Sequence, residues 1–170
     1  MTKSLVKAVM MLTALINNTT PDVAQAILVT EQYNYLNPVI EIPKINLKQE
    51  FYPNDQEKNH VDKGIQVINE SKMPTEKNTN LILASHSGNS AIAHFKNLYQ
   101  LNYNDTVYIY YQNIKYKYVI ADIYDVPKIG YVEIKRDRSK NAITLITCKK
   151  NTNLQTVYIG YLATTELLHK

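Results

Sequence analysis

The chain has 170 residues, a net charge of +4, 14 tyrosines, no tryptophan and a single cysteine. That length suits one domain with a proper core, and a lone cysteine excludes an internal disulfide framework. The lysines are scattered and the only arginines are Arg136 and Arg138, which argues against a nucleic-acid reader and for a solvated surface, while mild attraction to an anionic membrane or cell wall stays compatible.

Residues 1–30 stand apart from the rest. Lys3 and Lys7 precede the apolar run from Ala8 to Ile16, which is too short to cross a bilayer unaided. Ala24-Gln25-Ala26 offers a small-x-small cleavage pattern. The polar stretch Asn17 to Asp22 is long for a signal peptide, so targeting segment, membrane anchor and packed amphipathic helix all stay open. The first two favour an extracytoplasmic, surface-attached protein; a single cysteine fits an exported protein that avoids disulfides and fits the cytosol as well.

Residues 31–170 read as one mostly β domain. Asn37 to Ile45 alternates apolar and polar residues, and its prolines suggest an edge or irregular strand. Phe51-Tyr52 has short strand character, and Val61 to Ile68 contains another extended piece. Pro74 breaks the loop Ser71 to Asn80. Leu81 to Ala84 is a wholly apolar strand. Ser90 to Tyr99 suits a short helix, with Ile92, Phe95 and Leu98 on one face.

Thr106 to Tyr111 and Ile114 to Tyr124 are strands joined by a tight turn at Gln112-Asn113. Lys115 and Lys117 alternate with Tyr116 and Tyr118, which gives this ribbon one wet and one buried face. Turn signals at Pro127 and Gly130 and a polar turn at Arg136 to Asn141 lead to the strand Ile143 to Cys148. A polar loop and a last strand, Leu154 to Ala163, follow. Many short strands with few helices point to a closed β-barrel or a sandwich.

The chemistry-bearing residues sit at strand ends. Cys148 closes an apolar strand, and Lys149 and Lys150 beside it favour a thiolate. His86 ends the apolar run Leu81 to Ala84 and opens the polar loop Ser87 to Ser90, where a rigid scaffold presents catalytic groups. A cysteine and a histidine are the minimum parts of a thiol acyl-transfer site. Taken alone, Cys148 reads more readily as a small buried hydrophobe at a strand end than as a nucleophile. His60, His94 and His169 are dispersed, with no metal-ligand spacing, so neither metal nor cofactor is expected.

The ordered set of motifs resembles the sortase family of bacterial cysteine transpeptidases, from about Asn37 to Leu162. Ile42-Pro43-Lys44-Ile45 is similar to the family's first-strand motif. Val61 and Gly64, then Ser71 and Pro74, resemble the approach to the histidine motif, Ala84-Ser85-His86. Phe95, Leu98, Leu101 and Asp105 follow as the helix and turn, and Thr144-Leu145-Ile146-Thr147-Cys148 matches the cysteine motif. The resemblance implies a closed barrel with His86 and Cys148 meeting at one end.

Three positions depart from the family. Ser85 and Asn104 stand where glycine is usual. No arginine follows Cys148, and Gln155 occupies the position of the third catalytic residue. Its amide is a candidate donor to an oxyanion or to substrate backbone, although it lacks charge assistance. Lys149, Lys150, Arg136 and Arg138 are the cations that neighbouring loops offer in its place.

The resemblance further implies thioester chemistry. Cys148 would attack a sorting signal of a secreted protein, with His86 as general acid and base. An amine of a cell-wall peptide or pilin would resolve the thioester. Two rivals stand beside this reading: a thiol hydrolase on the same fold, and a binding module whose catalysis has degenerated.

Overall fold

The computed structural model describes residues 37–168. The N-terminal segment 1–30, with its targeting or anchoring reading, and His169 lie outside the described residues. Eight strands succeed one another: β1 (Val39–Ile42), β2 (Leu47–Glu50), β3 (Gln66–Val67), β4 (Asn80–Ala84), β5 (Thr106–Tyr111), β6 (Ile114–Pro127), β7 (Ala142–Cys148) and β8 (Leu154–Leu167). They form one sheet in the order β2-β1-β5-β6-β8-β7-β4-β3. The sheet curls, and its two outer strands are linked by one parallel bridge between Tyr52, just after β2, and Gln66 of β3. The expected barrel is therefore a curled sheet joined at a single point.

All strand neighbours are antiparallel except β4 and β7, which run parallel. β5 and β6 turn through Gln112 and Asn113, at φ 51° and 60°. Paired positive φ angles match the strand twist of a two-residue hairpin. β6 and β8 pair over 14-residue strands with two register shifts, which let one ribbon follow the curl.

Burial follows the pleat in some strands and ignores it in others. Tyr116 and Tyr118 of β6 are buried while Lys115 and Lys117 are partly exposed, as the alternation predicts. β4 and β7 are buried along almost their whole length. One face, with Leu81, Leu83, Ile143 and Leu145, joins the main core around Phe51, Phe95 and Leu98. The other, with Ile82 and Ile146, is covered by Val132 and Ile134 of the β6–β7 loop. Strands covered on both faces read as continuous apolar runs.

Two expectations change. β1 lies between β2 and β5 rather than at an edge, because Pro38 precedes the strand and Pro43 opens the following 3-10 turn. The prolines bracket the ladder and do not interrupt it. The helix expected over Ser90 to Tyr99 is instead a chain of turns ending in a 3-10 turn, Leu98–Gln100. The Phe95 N–H donates to the His86 carbonyl at 3.2 Å instead of to the preceding turn. Phe95 and Leu98 are buried as the spacing foresaw, but the loop is tied to β4 and not wound into a helix. Among the described residues no helix is long and apolar enough to cross a membrane.

The Tyr118 hydroxyl is buried without a hydrogen-bond partner among the described residues, and burial drives its acidity well below that of a free phenol. An orphaned polar group costs roughly what its removal returns. Tyr118→Phe is expected to hold or raise the stability by up to about 1 kcal/mol. Tyr118→Ala should lose about 3–5 kcal/mol. Urea unfolding midpoints check both.

Candidate active site

The parallel register of β4 and β7 brings together the strand ends that precede the two candidate residues. Leu81 faces Ile143 and Ala84 faces Ile146. Continued two residues further, this register leads to His86 on one chain and Cys148 on the other. Two bonds extend the pairing past the strand ends. The Ser85 N–H donates to the Ile146 carbonyl at 3.4 Å. The buried Thr147 hydroxyl donates to the Ser85 carbonyl at 2.9 Å. The residues immediately before His86 and Cys148 are thus bonded to each other.

Cys148 is half-buried and carries a free thiol. It stands at the junction of two depressions. One is a groove of about 720 Å³ walled by Phe95, Tyr99, Ile123, Tyr124 and Tyr158. The other is a polar cleft of about 430 Å³ lined by Ser87, Lys128, Lys150 and the Asn151–Asn153 turn. Burial and the nearby Asp125 charge push the Tyr158 phenol up to about 12, so it stays neutral in the groove wall.

Lys149 is anchored. Its ammonium pairs with Asp125 at the end of β6, and the Thr156 hydroxyl of β8 donates to the same carboxylate at 2.8 Å. The Lys149 bond, more than the Thr156 bond, holds the Asp125 carboxyl below its ordinary 3.8. A fixed cation therefore lies next to the thiol in sequence. Arg136 is committed elsewhere, to the carbonyls of Asn78, Asp137 and Lys140.

Gln155 sits directly opposite Cys148 across the β7–β8 pair. Its amide donates to the carbonyls of Pro127 and Lys128, each at 3.3 Å. Successive strand residues point to opposite faces, and the β8 residues lining the groove are Thr156 and Tyr158.

His86 makes a contact that the sequence reading did not anticipate. Its Nε2 lies 2.9 Å from Oδ1 of Asp62. That bond is the leading reason the Asp62 carboxyl is held below 3.8. Asp62 belongs to the 3-10 turn Val61–Lys63, which ends at Gly64. Gly64 has φ 145°, a conformation that side chains rarely tolerate. The Val61 and Gly64 pattern marked this turn but gave no signal that the residue between them reaches His86.

His60 accepts a bond from the Asp62 N–H. His94 is partly buried against Gly64, away from the thiol. No group of three or more His, Cys, Asp or Glu side chains among the described residues is arranged to hold a metal ion.

The sequence pattern of the sortase domain matches residues 40–162. The chain belongs to the sortase family. No curated protein matches it. Among solved structures it is similar to sortase C1 from Streptococcus agalactiae, with 26% identity and a TM-score of 0.65, over 74% of this chain and 66% of that one. Sortase C-1 from Actinomyces oris shares the fold at 24% identity and a TM-score of 0.65, over 75% of this chain and 73% of that one. So does a lid mutant of sortase A from Corynebacterium diphtheriae, at 23% identity and a TM-score of 0.67, over 76% and 71%. Sortases are cell-surface cysteine transpeptidases that act on sorting signals. Cys148 and His86 both lie within the matched span.

The Asp125–Lys149 pair also sets an acid dependence. A carboxyl with a lowered value in the folded state adds stability above its ordinary 3.8, and that stability is lost as pH falls through the lowered value. Both partners are partly solvated, so the contribution is at most about 1 kcal/mol. Asp125→Asn should lower the melting temperature at neutral pH and flatten its decline below pH 3.8. Melting curves of both proteins across acidic pH check this.

Proposed function

We propose that this sortase cleaves a sorting signal of a secreted protein through a thioester on Cys148 and passes the acyl group to an amine. The observation that supports the reading is the bond between Thr147 and Ser85, which joins the chain just before the cysteine to the chain just before the histidine, beside the apolar groove that Cys148 lines. The peptide's apolar side chains lie against Ile123, Tyr124 and the exposed Tyr99. The Cys148 thiolate attacks the scissile carbonyl carbon. As the C–N bond breaks, His86 gives its proton to the departing amine. The incoming amine then attacks the thioester, His86 takes its proton, and the thiolate leaves.

The developing oxyanion needs donors. Backbone N–H groups near Cys148 supply them in this reading, and Gln155 is the candidate side-chain donor. Its amide donates to the Pro127 and Lys128 carbonyls, so it serves an oxyanion only by giving up one of those bonds. The acceptor is a cell-wall peptide or a pilin lysine, and the reaction belongs outside the cytoplasm, where sorting signals and such amines meet. The N-terminal segment is the means of membrane attachment in this reading.

Incubation with a peptide library, followed by mass analysis of the intact protein, should trap one acyl adduct on Cys148. Cys148→Ala should abolish the adduct, and turnover retained in that variant would sink the mechanism. His86→Ala should slow acylation by about 10²–10⁴-fold. Gln155→Ala should slow it about tenfold. Added amine should divert the product from acid to amide, and a product ratio indifferent to amine marks a hydrolase instead.

A further inference from the structure

We propose that Asp62 is the positioning residue for His86: its carboxylate receives the Nε2–H of the imidazole, fixes the ring's orientation and tautomer, and leaves Nδ1 to exchange protons at the thiol. This inference rests on the reading of His86 as general acid and base.

The geometry is direct. Asp62 Oδ1 and His86 Nε2 are 2.9 Å apart, the length of a charge-assisted hydrogen bond. The two residues are 24 apart in sequence, so the contact is made by the fold and is not a local turn. The segment carrying Asp62 is bonded to the strand carrying His86. β3 pairs with β4, Gln66 opposite Ala84. The buried Ser85 hydroxyl lies 3.1 Å from the Gly64 carbonyl and 3.3 Å from that of Ile92, so it can donate to either. Ser85 is the residue immediately before His86, and Gly64 closes the Asp62 turn. The Asp62 backbone is held in turn, its N–H donating to His60 Nδ1 at 3.1 Å.

This arrangement gives Ser85 a purpose. Its hydroxyl adds a side-chain tie between the Asp62 turn and the histidine strand to the β3–β4 backbone pairing. The pair itself does little for the fold. Asp62 and His86 side chains are 69% and 41% exposed, and exposed ion pairs add little to stability. Its value lies in orientation, because a histidine's free nitrogen is set by the bond its other nitrogen makes.

The test uses the full chain and two substitutions, Asp62→Asn and Asp62→Glu. Long-range proton–nitrogen NMR reads the tautomer of the His86 ring, identified by its loss in His86→Asn. The wild type should show the Nε2–H form. Asp62→Asn should show a mixture of both tautomers, and Asp62→Glu should restore the single form. In the second arm, acylation of Cys148 is timed with the peptide captured from the library. Asp62→Asn should slow acylation by about 10–100-fold with KM unchanged, Asp62→Glu should recover most of the rate, and the urea midpoint should not move.

An Nδ1–H tautomer in the wild type, or an unchanged tautomer in Asp62→Asn, overturns the proposal. Faster acylation in Asp62→Asn also overturns it, because Asp62 would then be drawing His86 away from the sulfur. If no peptide acylates the wild type, the transpeptidase reading fails while the NMR arm still decides the Asp62–His86 pair.

Discussion

The parallel pairing of β4 and β7 is the constraint on which the rest depends. Two neighbouring strands that run in the same direction end at the same side of the sheet. An antiparallel pairing would send the residues after Ala84 and after Thr147 to opposite ends. Here the strands end together, and the Thr147 hydroxyl bonds the Ser85 carbonyl just beyond the last ladder pair. β5 and β6 lie between β4 and β7 in sequence but elsewhere in the sheet. Closing that long connection is entropically costly, and burial of β4 and β7 on both faces offsets it.

From that junction the site takes its electrostatic form. The groove wall is aromatic and apolar, and the rim beyond Cys148 is cationic. Lys149 is fixed by Asp125, and Asp125 is fixed again by Thr156. That triad joins β6 and β8 to the residue after β7 at the edge of the groove. Gln155, opposite Cys148, holds the Pro127 and Lys128 carbonyls.

The departures from the family pattern have local physical causes. Asn104 adopts φ 71°, a left-handed conformation that asparagine tolerates better than other side chains, so the turn survives without glycine. Ser85 is buried, and its hydroxyl has carbonyl partners at Gly64 and Ile92. A glycine there would leave that link unmade. The missed helix at Ser90 to Tyr99 teaches the opposite lesson. Three-residue spacing marked which side chains are buried, but the Phe95 N–H bonds the His86 carbonyl, and a tertiary bond replaced the helical one.

The sequence by itself determined most of the strands, though not β2 at Leu47–Glu50, together with the hairpin turn at Gln112-Asn113, the terminal positions of His86 and Cys148, and the family. These are local patterns: apolar runs, alternation, turn residues and short motifs in order. Only the tertiary structure decided the order of strands, the interior place of β1, the groove beside Cys148 and the partners of Lys149, Gln155 and His86. Asp62 is the clearest instance. It is one polar residue in a polar loop, indistinguishable in sequence from Asp55 or Glu57. Its meeting with His86 follows from β3 pairing with β4, a long-range event that no local spacing encodes.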